Sequence, residues 1–196
     1  MTSASDKNLR VFCAVELSAE VRELVGDYIA KLREMFPNVR ASWERPEKLH
    51  LTLKFYGDIK PARVDQLTGA AERAAARIST FPIKLSGAGA FPPKGPARVL
   101  WLGVVDESGG LASLQRHIED ECSTEGFPRE ARPYSPHLTL ARMRTPAGVR
   151  PLAEFHNASS FESEPFTVSE FVVMRSELLP TGSRHTPLSH HPLSQP

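Results

Sequence analysis

The word HLTL occurs at 50–53 and again at 137–140, so a histidine and a threonine two residues apart recur 87 residues later. Residues two apart share a face of an extended strand. His50 and Thr52 therefore face one way and Leu51 and Leu53 the other. His137 and Thr139 face one way and Leu138 and Leu140 the other. Two such strands face to face make a site with two imidazoles and two hydroxyls. That set suits opening a cyclic phosphodiester. Histidine titrates near neutrality, so one imidazole takes a proton from water while the other, protonated, gives one to the leaving oxygen. Threonine hydroxyls can hydrogen-bond the non-bridging phosphoryl oxygens as charge shifts in the transition state. The scheme requires no metal, no cofactor and no covalent nucleophile.

A lone His-x-Thr on a strand is usually structural, and a repeated four-residue word is weak by itself. The flanking sequence changes that reading. Pro93-Lys94-Gly95 recurs as Pro180-Thr181-Gly182, Arg10-Val11-Phe12 as Arg98-Val99-Leu100, and Phe81-Pro82-Ile83 as Phe166-Thr167-Val168, in the same order and at nearly one offset. This is the mark of a duplicated unit. A structural histidine has no reason to sit at the matching point of both halves.

The elements that must position these residues repeat as well. RVFCAVEL (10–17) reads as a strand. Ser18 is placed to cap a helix whose stripe is Val21, Leu24, Val25, Tyr28, Ile29 and Leu32. LHLTLKF (49–55) reads as the histidine strand. Pro61 opens a helix carrying Val64, Leu67, Ala71, Ala74 and Ile78, followed by a strand near 82–89 and a loop at 92–96. The second half offers a strand at 98–105, a helix at 111–122, the histidine strand at 137–142 and a short helix at 147–156. A strand at 166–174, a loop at 180–182 and a last strand near 184–190 complete it. The expectation is an α+β fold with two pseudo-symmetric lobes, each a small, mostly antiparallel sheet with helices, and the active-site cleft between them. Residues 1–196 form one two-lobed domain, with repeats at about 10–95 and 98–191 and a short irregular tail at 192–196.

The composition limits the partners. Twenty-four Lys and Arg against 23 Asp and Glu leave a net charge of +1, too little basic excess for strong non-specific duplex binding. A nucleic acid would be met locally, at an end or a single phosphate. Cys13 and Cys122 read as buried free thiols. The N-terminus has no apolar signal core and no stretch approaches a membrane span. The reading is a cytoplasmic monomer with no membrane partner.

PEKLHLTLKFYGDI (46–59), FPIKLSGAGAFPPKGPARVLWLGV (81–104) and RPYSPHLTLARMR (132–144) resemble the two-histidine (2H) phosphoesterases. The likeness is to the RNA 2′,3′-cyclic phosphodiesterases, also called 2′-5′ RNA ligases, and runs from about Arg10 to Leu193. It implies hydrolysis of RNA or small-nucleotide 2′,3′-cyclic phosphates to a 2′-phosphomonoester, with 2′-5′ ligation as the reverse. By the same likeness His50 is the proton donor and His137 the acceptor. Thr52 and Thr139 bind phosphate, Arg142 contacts substrate and Phe55 is an aromatic beside it. His185 stands where the family usually has an aromatic residue, often tyrosine. Strict alternation, however, turns Phe55 and Arg142 away from the histidine face and Lys54 toward it. Arg142 reaches the cleft only if its strand ends or bulges near Ala141.

Other chemistries have less behind them. His117 and His156 read as surface or boundary residues of helices, and Trp43 and Trp101 as core. His190-His191, in a Pro/Ser-rich tail, lacks partners at metal-ligand spacing. No GxSxG, HExxH or GxxxxGK[ST] occurs. Two rival readings are a phosphodiesterase for another nucleotide, such as a 2′-5′ oligoadenylate or a tRNA-splicing cyclic phosphate, and a nucleotide- or RNA-end-binding module that does not turn over. The completeness of both His-x-Thr pairs weighs against the second.

Overall fold

The computed structural model describes residues 7–179 and 182–195. The chain runs β1 (Leu9–Glu16), α1 (Ala19–Met35), β2 (Ala41–Trp43), β3 (His50–Ile59), α2 (Val64–Ala75), β4 (Phe81–Phe91) and β5 (Val99–Val105). It continues α3 (Gly110–Thr124), β6 (His137–Met143), α4 (Val149–Asn157), β7 (Phe166–Val168), β8 (Glu170–Leu179) and β9 (Gly182–Pro192). Ser18 caps α1, its Oγ accepting from the Val21 amide at 3.3 Å. The buried stripe of α1 is Val21, Val25, Ile29 and Leu32, narrower than the periodicity suggested, since Leu24 is 42% exposed. Pro61 opens a 3₁₀ turn, and α2 proper starts at Val64 and ends before Ile78. The Asp106 carboxylate accepts from the amides of Gly110 and Leu111 at 3.1 and 2.7 Å, fixing the start of α3. No described helix is long and apolar enough to cross a membrane.

The strands form two antiparallel sheets, one ordered β3-β1-β8-β9 and the other β2-β6-β5-β4-β7. In the repeat, β1 matches β5, β3 matches β6 and β4 matches β8. The trio β3-β1-β8 is thus the counterpart of β6-β5-β4, but its third strand comes from the other half of the chain. Each sheet therefore combines strands from both repeats, so the lobes are not the two halves folded separately. Backbone pairing across distant sequence cannot be read from local pattern. One continuous buried cluster runs through both lobes.

The helices pair across the repeats in the same way. Tyr28 of α1 hydrogen-bonds His156 Nδ1 of α4 at 2.9 Å, and the other ring nitrogen meets the Trp101 carbonyl at 3.0 Å. His156 is fully buried, not the boundary residue its place near a helix end suggested. His117 lies half-buried on α3. The C-terminal stretch also departs from expectation. His190 and His191 lie on β9, paired with Val172 and Phe171, and His191 is buried with its ring stacked 5.1 Å from Phe171. Beyond β9, Ser194 exchanges backbone bonds with Ile78 and Thr80 at 3.0 Å each, so the tail is pinned to the end of α2. The loop read at 180–182 lies, apart from Gly182, outside the described residues.

Both histidine strands carry the same irregularity. Along β3, Thr52 pairs with Ala14 and Lys54 with Cys13, leaving Leu53 without an opposite residue. Along β6, Thr139 pairs with Trp101 and Ala141 with Leu100, leaving out Leu140. Each bulge inserts one residue and reverses the alternation beyond it. Lys54, expected either in the cleft or in solvent at the strand end, is turned inward and 5% exposed, while Phe55, expected to face the core, is 46% exposed. Arg142 is reversed in the same sense and is exposed.

Inside, Lys54 Nζ meets Glu119 Oε2 of α3 at 2.6 Å and the Pro128 carbonyl at 2.8 Å. Removing one member of such a pair strands the other charge in the core. Lys54→Met should therefore cost about 3–5 kcal/mol, whereas Lys54→Met with Glu119→Leu should be close to neutral. Urea unfolding of the three proteins checks this; a double variant as unstable as the single one would show that packing, not charge pairing, is at stake.

Candidate active site

His50 and His137 are the first residues of β3 and β6. Each is held by the backbone two residues before it. His50 Nδ1 lies 2.7 Å from the Lys48 carbonyl and His137 Nδ1 lies 2.8 Å from the Ser135 carbonyl. A carbonyl only accepts, so each Nδ1 carries the hydrogen and donates. That leaves each Nε2 free to give or take a proton, its tautomer and ring plane set by the main chain. Lys48 and Ser135 are themselves 87 residues apart, so the anchor is duplicated with the histidine.

The two strand ends meet in a single cleft of about 530 Å³, which contains all six residues singled out in the sequence: His50, Thr52, Phe55, His137, Thr139 and Arg142. The bulges are why Phe55 and Arg142 join the histidines. Among the further residues of the wall are Arg10, Glu44, Lys48 and His185, which local pattern did not single out for the cleft's chemistry. Arg10 had a trace, since its Arg-Val-Phe is the first word of the repeat. The others reach the cleft through tertiary contacts: Lys48 Nζ donates to the Ser183 carbonyl, and Arg10 lies 4.5 Å over the Phe55 ring. Arg10, Lys48 and Arg142 against Glu44 make the cleft net positive, suited to an anion.

Burial and these charges set the protonation of the site. His50 is held below the usual histidine range chiefly by burial; the Lys48 carbonyl and Glu16 work against this and Arg142 adds to it. His185 lies edge-on to His50 at 5.3 Å and to Phe12 at 5.0 Å. Burial first, then the charges of His50 and Lys48, push its pKa down to about 4. The Glu44 carboxyl is raised by burial, with Arg142 and Lys48 pulling the other way. On the opposite wall, His137 packs edge-on to Phe91 at 5.2 Å, with Trp101 behind it at 6.5 Å. Trp101 is half-buried as a backing for the site, and Trp43 is half-buried on β2; neither is a fully buried core residue. Gly89 makes room for the Trp101 ring, since a Cβ there would come within 2.2 Å of it.

The arrangement can bind a phosphodiester anion between two hydroxyls and an arginine, with a proton-transfer nitrogen on either side. His190 and His191 take no part: His190 Nδ1 lies 3.2 Å from Glu170 Oε1 and His191 Nε2 lies 2.8 Å from Ser189 Oγ. Among the described residues no group of three His, Cys, Asp or Glu is placed to hold a metal.

The chain is similar to known proteins along most of its length. The family model of the 2′-5′ RNA ligase superfamily matches residues 14–178. The RNA 2′,3′-cyclic phosphodiesterase of Methanothermobacter thermautotrophicus is 33% identical over 181 residues, covering 91% of this chain and 95% of that protein. The Escherichia coli protein of the same name is 30% identical over 186 residues, covering 95% and 97%. The crystal structure of E. coli LigT complexed with 3′-AMP superposes with a TM-score of 0.77 at 28% identity, covering 96% of this chain and all of that one.

The carbonyl anchors make a spectroscopic prediction. Long-range ¹H–¹⁵N correlation of the histidine rings should show neutral His50 and His137 as Nδ1–H tautomers. His185 should stay neutral as the pH falls, until it reaches about 4. An Nε2–H tautomer at either His50 or His137 would contradict the geometry.

Proposed function

The chain belongs to the 2′-5′ RNA ligase superfamily, and on that premise we propose that it hydrolyses RNA 2′,3′-cyclic phosphate ends, using His50 and His137 as acid and base. The observation that carries this reading is the duplicated anchor, which turns two free Nε2 atoms into one cleft beside two threonines. The cyclic phosphate lies between Thr52 and Thr139, whose hydroxyls donate to its non-bridging oxygens, and Arg142 balances its charge. His137 Nε2 takes a proton from water as the water oxygen bonds to phosphorus. The P–O3′ bond breaks and His50 Nε2–H protonates O3′, leaving a 2′-phosphomonoester and a free 3′-OH. The family resemblance carries the assignment of donor and acceptor. Phe55 and the aliphatic stem of Arg10 offer the ribose or base an apolar wall. The free thiols Cys13 and Cys122 suit the reducing cytoplasm.

His50→Ala and His137→Ala should each lower hydrolysis by about 10²–10⁴, the usual worth of a positioned acid or base, in assays run under EDTA. The product end should be a 2′-phosphate. A substrate with sulfur at the 3′-bridging position, whose leaving group needs little protonation, should rescue His50→Ala and not His137→Ala. The opposite rescue would exchange the two roles, and a 3′-phosphate product would refute the leaving group.

A second prediction follows from the depressed pKa of His50. The donor must be protonated, so activity falls as pH rises through its pKa; the acceptor must be neutral, so activity falls as pH drops through its own. The bound phosphate anion favours the charged form of His50, against the burial that disfavours it in the free protein. The profile of kcat/KM reports the free protein and that of kcat the complex. Both should be bell-shaped, with the alkaline flank of kcat at higher pH than that of kcat/KM. Coincident alkaline flanks would mean that substrate does not recharge His50.

A further inference from the structure

A cavity of about 630 Å³ lies between the end of α1 and the edge strand β2, and it shares no residue with the histidine cleft. Arg33, Arg40 and Arg144 line it against one carboxylate, Glu34, and the rings of Phe36 and Trp43 stand among them. All three arginines are exposed. Among the described residues none of them is in an ion pair, whereas Arg73, Arg129, Arg150 and Arg184 elsewhere on the surface each hold a carboxylate. Arg144 Nε donates to Ser42 Oγ at 2.9 Å, which fixes the guanidinium against β2. In a chain of net charge +1, this is a focused positive site, the electrostatic footprint of a polyanion.

The cavity adjoins the cleft along two strands. On β2, Trp43 lines the cavity and Glu44, the next residue, lines the cleft. On β6, Arg142 lines the cleft, and Arg144, just past the strand end, lines the cavity. Arg142 pairs with Ser42, the residue to which Arg144 is bonded. Two residues of strand span about 6.6 Å, close to the step between successive phosphates of an extended nucleic-acid strand. A lone cyclic phosphate makes no use of a second cationic cavity.

We infer that this cavity is an exosite for the RNA body, holding the strand that leads into the cyclic-phosphate end. The inference rests on the proposed reading of the cleft as a site for such ends. With the cyclic phosphate between Thr52 and Thr139, the strand leaves through the 5′-oxygen of the terminal ribose. The first phosphate on that strand meets Arg144 and the next meets Arg40 and Arg33, while an upstream base stacks on Trp43. Such contacts favour a polynucleotide over a mononucleotide without reading sequence. The cleft's other neighbour, ringed by Phe55, Phe91 and Tyr134 on the His137 side, offers less to a polyanion. Beyond the shared Arg142, its exposed cation is Arg132, already paired with Glu130 at 3.3 Å.

The test uses the full chain and three substrates: adenosine 2′,3′-cyclic phosphate, the same nucleotide with a 5′-phosphate, and a trinucleotide ending in the cyclic phosphate. Adding the 5′-phosphate should raise kcat/KM about tenfold, the scale of one hydrogen bond to a charged group, and the trinucleotide should raise it again. Arg144→Ala should remove the first gain and Arg40→Ala the second. Both variants should hydrolyse adenosine 2′,3′-cyclic phosphate within about twofold of the parent, which also shows that they fold. For the trinucleotide, the slope of log kcat/KM against log salt should become shallower by about 0.7 for each arginine removed, the value of one phosphate contact on a single strand. A merely structural role would leave that slope unchanged. Equal kcat/KM for all three substrates would overturn the inference and leave the hydrolytic reading standing. Gains that survive in both variants would overturn it too. So would gains lost in Arg132→Ala instead, because the strand would then leave past Tyr134. A parent chain that opens none of the three would remove the hydrolytic reading and the inference with it.

Discussion

A strand shows every second residue to one side, and this site needs the first, third and sixth residues of a strand on the same side. Regular alternation forbids that. One inserted residue, Leu53 in β3 and Leu140 in β6, resolves the conflict in both repeats. Before each bulge the backbone presents histidine and threonine; after it, Phe55 or Arg142 takes the same face and the intervening residue turns inward. The inward position differs between the copies, Lys54 in one and Ala141 in the other. Only the first brings a charge into the core, and Glu119 and the Pro128 carbonyl receive it. The bulge is thus repeated in the backbone while the side chains around it differ. One copy contributes an aromatic ring to the cleft and the other a cation.

The exchange of β4 and β8 between lobes gives those strand ends a fixed relation. If each repeat formed its own lobe, the cleft would be an interface between two units joined by a linker, and relative motion would be the default. Here each sheet has a strand from the other repeat at its centre or next to it. Separating the lobes would break backbone ladders as well as side-chain contacts. The paired helices, with Tyr28 bonded to a buried His156, add a second tie. The two histidines at the strand ends are thereby held in a fixed relation, which matters wherever catalysis depends on positioning, since small misplacements are costly.

Within this frame the electrostatics are asymmetric. His50 sits against Phe12 and His185, and burial opposes its charge. The wall opposite, around His137, opens toward an aromatic chamber. Arg10, Lys48 and Arg142 face Glu44 in the same cleft and leave it net positive. Burial and positive charge thus act on the same imidazole, His50, and both disfavour its charged form.

Much was legible in the sequence because it depends on short-range regularities. The 3.6-residue stripe of α1, its Ser18 cap, the period-two histidine strands and the duplicated His-x-Thr all lie within a few residues of chain. They placed the α+β class, the repeat and the six residues of the cleft, two of them only through family likeness. Alternation then misplaced Lys54, Phe55 and Arg142, because a bulge is set by what the strand pairs with, and Cys13 and Leu100 lie about 40 residues away from the residues they face. The burial of His156 and the pairing of His190-His191 into β9 were hidden for the same reason. So were the exchange of β4 and β8 and the arrival of Glu44, Lys48 and His185 beside His50. Each depends on contacts between distant segments, which only the folded chain brings together. Residue types and their spacing by themselves pointed to the paired histidines and threonines; the register of long-range strand pairing decided which side chains share the cleft.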